Sequence, residues 1–175
     1  MTQPHSAFLL GDRLLVVQCA ESLLARGFQI AAIASSHPDV LQWSRDHQIA
    51  CVDPRSNPRA LADAAAAAAP FDFLLSVTYL QMIPSEVISL ARRWAINFHD
   101  SLLPGYAGLN STAWAIAANE PQHGITWHVL TDQSDAGDIV LQVPIEIAGD
   151  ETSLTLNTKC FQAASDSFDT MVDRI

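Results

Sequence analysis

The chain has 175 residues, 49% of them apolar and 16% charged, with a formal net charge of −10 at pH 7. This length and composition suit one compact domain with its own core, and they exclude a disordered chain. The nine Lys and Arg residues are scattered, with Arg92-Arg93 as the one basic dipeptide. Because nucleic-acid binders present a basic patch, we predict no nucleic-acid partner, and we place Arg92-Arg93 at the solvated end of a helix.

The sequence shows no pattern typical of a membrane span, a secretory signal or a disulfide framework. No apolar run is long and bulky enough for a membrane span, and the first residues lack the pattern of a secretory signal. A cytoplasmic location without membrane partners is therefore expected. The three cysteines, Cys19, Cys51 and Cys160, form no CxxC pair and no spacing typical of zinc ligands, so reduced thiols and no metal site are predicted.

The first half of the chain alternates short apolar runs with helical patterns, as βαβ units around a parallel sheet do. Gly27, Pro38 and Pro70 mark helix ends in this half, and Asn57-Pro58 is predicted to cap an alanine-rich helix. Strands are predicted at 7–10, 28–34, 49–52 and 73–77, with helices ending near residues 26, 47 and 69.

The second half begins with a predicted helix at 84–92 and a buried strand at 94–98. A long loop at 101–108 leads to a helix at 111–118. Strands follow at 124–130 and 139–147, and a helix at 152–175 closes the chain. Together the two halves predict an α/β fold with a Rossmann-like, mostly parallel central sheet flanked by helices.

The turn after the first strand argues against a dinucleotide site. Such a site needs a glycine-rich turn whose backbone amides surround the pyrophosphate. Here Gly11 is followed by Asp12, whose carboxylate would repel phosphate. The sequence also lacks the glycine-rich lysine motif of a P-loop, so neither NAD nor a P-loop nucleotide is expected.

Two polar side chains mark the end of the predicted strand at 94–98. Asn97 and His99 are two residues apart, so both leave the same face of the strand. An amide donor and an imidazole at a strand end can stabilise an oxyanion and move a proton. Taken alone, the same spacing also fits a capped strand with a core histidine.

A second polar element is the acidic loop at 132–138, which contains Asp132, Asp135, Asp138 and Gly137. Aspartate and glycine are common in ordinary hairpin turns, so a simple turn is one interpretation. A weak calcium loop is another, although the spacing is not that of an EF-hand.

Taken together, these elements resemble the 10-formyltetrahydrofolate-dependent formyltransferases. The resemblance rests on Asn97-Phe98-His99, on Ser101-Leu102-Leu103-Pro104 with Gly108, and on Asp135-Ala136-Gly137, and it runs from about residue 71 to 147. It implies the formyltransferase fold and an enzyme that moves a formyl group from 10-formyltetrahydrofolate to a primary amine.

The resemblance also implies site residues. The catalytic trio falls on Asn97, His99 and Asp135, acting without a metal or a covalent intermediate. Asn97 and protonated His99 would stabilise the charge that develops on the formyl oxygen, and Asp135 would orient His99 or a water. The family's folate loop falls on Gln81, Met82 and Ile83, with Leu130, Thr131, Asp132 and Gln133 closing the other side.

Departures from the family pattern reduce the number of possible acceptor amines. Methionyl-tRNA formyltransferase typically has a glycine after the histidine and a basic segment after the proline, where this chain has Asp100 and Gly105-Tyr106-Ala107. These segments look closer to the formylation domains that start nonribosomal peptide synthetases, such as the linear gramicidin synthetase. There the acceptor is the α-amine of an aminoacyl thioester on a peptidyl carrier protein. Tyr106, Trp114 and Trp127 would line an apolar channel, and a place in the buried core is the alternative for Trp114 and Trp127.

This resemblance further implies one catalytic domain over residues 1–175, excised from or leading a larger synthetase with an adjacent adenylation domain. Two alternatives stay open: a sugar-nucleotide N-formyltransferase, and an inactive folate-binding or docking module.

Overall fold

The computed structural model describes residues 4–175 and confirms the predicted fold class. Seven strands form a mostly parallel central sheet in the order β3-β2-β1-β4-β5-β6-β7, flanked by helices. The elements are β1 Ser6–Leu10, α1 Leu15–Ala25, β2 Gln29–Ala34, α2 Pro38–Asp46, β3 Cys51–Val52, α3 Ala60–Ala68, β4 Phe71–Ser76, α4 Ser85–Ile88, β5 Ala91–His99, α5 Ser111–Ala117, β6 Gln122–Val129, β7 Ile139–Glu146 and α6 Ser153–Val172.

The chain divides into two compact units, Met1–Ile96 and Asn97–Ile175. In the first unit, β1 pairs in parallel with β2 and β4, and β2 pairs in parallel with β3. The core of this unit is built from β1 and β4, whose continuous apolar runs are buried on both faces, as expected for parallel strands. Gly27, with φ of 81°, ends α1 in the left-handed conformation that glycine adopts without strain.

The second unit contains the antiparallel pair β6 and β7, with α6 packed against both. Helix α6 begins at a capping box, in which Thr152 and Thr155 each accept the other's backbone N–H. Pro144 lies in β7, the last strand of the sheet order, where a missing backbone donor is tolerated.

The turn after β1 holds a fixed carboxylate. Asp12 Oδ1 accepts the backbone N–H of Ser36 at 2.6 Å and its hydroxyl at 2.7 Å. A Cβ on Gly11 would lie 2.0 Å from the Val77 carbonyl oxygen, so only glycine fits there. The turn thus presents an acceptor where a pyrophosphate needs donors.

The prediction of a helix at 84–92 is wrong for the second half of that segment. Helix α4 ends at Ile88, and β5 already begins at Ala91, so Arg92 and Arg93 belong to a strand and not to a helix end. The local sequence suits a helix, but strand pairing overrides local propensity. Both arginines are exposed, and Arg93 lies over the Phe73 ring at 5.7 Å.

The helix predicted from Asn57-Pro58 begins later than expected. Asn57 accepts the backbone N–H of Arg59, but helix α3 starts only at Ala60. Two of the three cysteines, Cys19 and Cys160, are buried, whereas Cys51 is half-buried. Burial raises the pKa of Cys160 to about 12, so this thiol stays protonated. Within residues 4–175, no helix has both the length and the apolar character to cross a bilayer.

Candidate active site

His99 lies at the end of β5 and is held from both sides of its ring. Its Nε2 lies 3.0 Å from the Tyr106 carbonyl oxygen, and its Nδ1 lies 3.5 Å from Asp135 Oδ1. A carbonyl oxygen only accepts hydrogen bonds, so Nε2 must carry a proton. The His99 side chain is only 8% exposed. Nδ1 is therefore the atom at which His99 can take up or release a proton beside the carboxylate.

Asp135 is brought to His99 by an unusual backbone conformation. Its φ is 53°, in the left-handed region that aspartate tolerates better than most residues. The Gly108 amide donates to Asp135 Oδ2 at 2.8 Å. Burial alone would raise the pKa of Asp135, but the His128 and His99 imidazoles and the Gly108 amide outweigh it, and the pKa falls to about 2. Asp135 is thus a carboxylate at neutral pH.

A fourth side chain, His128 at the end of β6, completes this cluster. Its Nε2 lies 3.1 Å from Asn97 Nδ2 and 3.6 Å from Asp135 Oδ1, and its Nδ1 lies 3.0 Å from the Val129 carbonyl oxygen. Because an amide nitrogen only donates, neutral His128 accepts from Asn97 at Nε2 and donates from Nδ1.

The structure therefore brings together all three residues predicted from the sequence, and it adds one that the sequence analysis did not assign. The sequence shows His128 only as a histidine near the end of a predicted strand, a few residues before the acidic loop, and this position alone does not pair it with Asn97. Asn97 and His128 are joined directly, whereas His99 and Asp135 are joined both directly and through Tyr106 and Gly108 of the connecting loop. Such a cluster can donate to a developing negative charge and move a proton.

The predicted folate-binding segments lie in different units. In the first unit, Gln81 is exposed and Met82 is 65% exposed, but Ile83 is buried. In the second unit, Leu130 to Gln133 form a turn in which the Thr131 hydroxyl donates to the Gln133 carbonyl oxygen at 2.9 Å. Asp132 and Gln133 are exposed, and Leu130 and Thr131 are half-buried.

The predicted aromatic channel is wrong for one of its three members. Trp127 is fully buried, packs against Phe98 and Phe168, and donates its indole N–H to the Ser167 hydroxyl at 3.1 Å. It is a core residue. Trp114, in contrast, is 63% exposed on α5, and Tyr106 is half-buried.

The depressed pKa of Asp135 predicts a pH-dependent contribution to stability. The charged form is favoured in the folded state, so the stabilisation is present above pH 4 and is lost as the pH falls toward about 2. After solvent screening, we expect Asp135→Asn to lower the free energy of unfolding by about 1 kcal/mol at pH 7. Urea denaturation at several pH values measures this difference, which should vanish near pH 2.

Asp138→Asn is the matched control for that measurement, because it removes the same charge from an exposed position in the same loop. An Asp135→Asn difference that stayed constant down to pH 2 would contradict the role of the carboxylate.

Comparison with known proteins identifies relatives of this chain. The chain is 36% identical over 124 residues to methionyl-tRNA formyltransferase of Anaeromyxobacter dehalogenans, covering 70% of this chain and 39% of that protein. It is 36% identical over 85 residues to GDP-perosamine N-formyltransferase of Brucella melitensis, covering 49% of this chain and 33% of that protein. The chain thus matches well under half the length of these two relatives.

Solved structures share the fold. The phosphoribosylglycinamide formyltransferase of Bacillus halodurans superposes with a TM-score of 0.79 at 23% identity, over 91% of this chain and 89% of that one. The family model described as formyl transferase matches residues 18–172. Because this match spans most of the sequence, the chain belongs to the formyl transferase family.

Proposed function

We propose that this chain transfers a formyl group from 10-formyltetrahydrofolate to a primary amine, with Asn97, His99 and Asp135 as its catalytic residues. One observation carries the proposal: in a chain of this family, the imidazole of His99 lies 3.5 Å from a carboxylate whose pKa is about 2. A carboxylate that is charged at neutral pH can orient the imidazole through Nδ1, and imidazole is the side chain suited to general acid and base catalysis near neutral pH.

The residues present fit a reduced folate as the formyl donor. Exposed apolar side chains at Leu80 and Met82 offer a surface for an aromatic ring, and the exposed residues Asp132 and Gln133 offer backbone groups. We propose that Gln81, Met82 and Ile83, together with Leu130, Thr131, Asp132 and Gln133, hold the folate. When bound, the folate supplies a formyl carbon that is open to attack by an amine.

Each catalytic side chain then has a defined task. Asn97 Nδ2 donates one hydrogen to His128, which leaves its second hydrogen for an oxygen that gains negative charge. One such donor contributes a factor of about 10²–10³ in rate. His99 Nδ1 carries the proton, while Nε2 stays bound to the Tyr106 carbonyl. Asp135 keeps the imidazolium in place and stays charged throughout.

We propose that the acceptor is the α-amine of an aminoacyl thioester on a peptidyl carrier protein, next to an adenylation domain. The support is the segment around Asp100 and Gly105-Tyr106-Ala107, which resembles formylation domains of peptide synthetases. An electron-withdrawing thioester lowers the pKa of the amine, so more of it is neutral and nucleophilic. Leu109 and Trp114, each 63% exposed, offer apolar contact beside Gly108 for an amino-acid side chain.

A second candidate acceptor is the amino group of a sugar nucleotide. The relative named GDP-perosamine N-formyltransferase favours it, because its identity to this chain over the matched stretch is as high as that of the tRNA enzyme.

A paired substrate assay tests the proposal. The protein is incubated with 10-formyltetrahydrofolate and either a valyl-carrier protein or a GDP-linked amino sugar, and mass spectrometry detects the formylated product. We expect product from the valyl-carrier protein and none with Asp135→Asn. Product from the sugar alone would select the second candidate. Folate binding without product from either acceptor would overturn the proposed activity and select the inactive-module alternative.

A further inference from the structure

The loop of residues 100–110 connects β5 to α5, and it contacts both partners of the catalytic pair through its backbone. The Tyr106 carbonyl oxygen accepts from His99 Nε2 at 3.0 Å, and the Gly108 amide donates to Asp135 at 2.8 Å. The orientation of His99 and Asp135 therefore depends on the position of this loop. Contacts that hold the backbone of Tyr106 in place therefore also orient the imidazole of His99.

Tyr106 is held in a conformation that its residue type does not favour. Its φ is 54°, in the left-handed region, which is rare for a bulky side chain. An unfavourable backbone conformation persists only where the surroundings enforce it, and such positions cluster at functional sites. The side chain of Tyr106 must therefore be anchored strongly enough to keep its carbonyl directed at His99.

The anchor is a hydrogen bond with Glu120, which follows α5. The Tyr106 hydroxyl donates to Glu120 Oε1 at 2.6 Å, and the tyrosine ring meets the edge of His123, with centroids 6.0 Å apart and planes at 66°. This hydrogen bond raises the pKa of Tyr106, so the hydroxyl keeps its proton and remains a donor. A charged acceptor makes the bond stronger than one between neutral groups.

His123 ties the start of the same loop to β6. Its Nε2 lies 2.6 Å from the Asp100 carbonyl oxygen, which also accepts from the Ser111 hydroxyl at 2.8 Å. Burial lowers the pKa of His123, so the ring is neutral and donates from Nε2. Asp100, the residue directly after His99, is thus held in place without any contribution from Tyr106. The contact to the imidazole that depends on the loop is therefore the one from the Tyr106 carbonyl.

We propose that Tyr106 and Glu120 are positioning residues for His99: their side-chain hydrogen bond holds the left-handed backbone that directs the Tyr106 carbonyl to Nε2. This inference rests on the proposed catalytic role of His99. Glu120 acts through Tyr106 and His99 and has no contact with the reacting atoms. Because the carbonyl keeps a proton on Nε2, it assigns proton exchange to Nδ1, the nitrogen beside Asp135.

Three single variants and one double variant test the proposal. Tyr106→Phe keeps the ring but removes the donor, Glu120→Ala removes the acceptor, and Glu120→Gln keeps an acceptor oxygen. A small displacement of a catalytic group costs roughly ten- to a hundredfold in rate. We expect that loss in kcat for Tyr106→Phe and Glu120→Ala, with the KM for the folate unchanged and kcat near wild type for Glu120→Gln. The double variant Tyr106→Phe/Glu120→Ala should lose no more than either single variant.

A second readout is independent of activity. The Nε2–H proton of His99 is followed by NMR in ¹⁵N-histidine-labelled protein and assigned by its disappearance in His99→Ala. We expect it to be protected from exchange in wild type and Glu120→Gln, and to exchange rapidly in Tyr106→Phe and Glu120→Ala. Glu86→Ala, at an exposed position of α4, is the control for loss of a glutamate.

The two proposals fail in different ways. An active His99→Ala variant would overturn the catalytic role of His99. If His99→Ala were inactive while Tyr106→Phe and Glu120→Ala kept their kcat or a protected Nε2–H, the positioning role would be overturned. If Glu120→Ala did not fold, Tyr106→Phe and Glu120→Gln would still test the positioning role, because both substitutions conserve side-chain volume and packing.

Discussion

His99→Ala is expected to lower the kcat of formyl transfer by about a thousandfold or more. The substitution removes the group that carries the proton at Nδ1, and general acid–base catalysis contributes about 10²–10⁴. It also leaves Asp135 without the partner 3.5 Å away. A discontinuous assay of formylated product gives kcat, and thermal melting shows whether the variant is folded. We expect a folded protein, because His99 is at a strand end and its loss removes no part of the apolar core.

His47→Ala is the matched control for this substitution. His47 is exposed, stacks on Trp43 with ring centroids 4.1 Å apart, and lies in the first unit. Its loss should leave kcat unchanged. If His99→Ala kept more than about a tenth of the wild-type kcat, a general acid–base role for this imidazole would be untenable.

Asp135 calls for a more conservative substitution than alanine. Its φ of 53° is strained for alanine but is tolerated by asparagine, so Asp135→Asn removes the charge with little change to the backbone. A loss of activity in Asp135→Asn can therefore be attributed to the carboxylate.

Local periodicity predicts that Asn97 and His99 lie together at a strand end, whereas the assignment of Asp135 to the same site comes from the family resemblance. Asn97 and His99 share a face because side chains alternate along a strand, and the acidic loop follows a strand whose apolar pattern marks its end. These rules act over a few residues. They place the amide and the imidazole correctly, because β5 is regular up to His99.

What the sequence does not predict depends on contacts between distant residues. His128 joins the site because it lies beside Asn97, 31 residues earlier, and no local pattern encodes that pairing. Tyr106 takes part through its carbonyl oxygen, a group that every residue carries, so its identity gives no sign of the contact. The prediction of where α4 ends is wrong for the same reason, because strand pairing sets the conformation of Arg92 and Arg93.

Gly137→Ala is expected to disturb both stability and catalysis, although glycine has no side chain that could act in the reaction. A Cβ at Gly137 would lie 1.8 Å from the Val129 carbonyl oxygen and 2.8 Å from its carbonyl carbon. These are backbone atoms of β6, where Val129 N–H donates to the Asp138 carbonyl at 2.9 Å. The strand is fixed, so the acidic loop must move, and Asp135 moves with it.

The size of both effects follows from that displacement. Forcing an extra carbon into a packed contact costs about 1–3 kcal/mol in the free energy of unfolding. A displacement of about 1 Å at a catalytic group costs on the order of a hundredfold in rate. Urea denaturation and product formation on the same preparation measure the two losses. Gly149→Ala is the matched control, because a Cβ there meets no heavy atom within 4 Å. Wild-type kcat and stability in Gly137→Ala would contradict this prediction. They would show that the loop can move without displacing Asp135 from His99, so that the close contact between Gly137 and Val129 does not position the carboxylate.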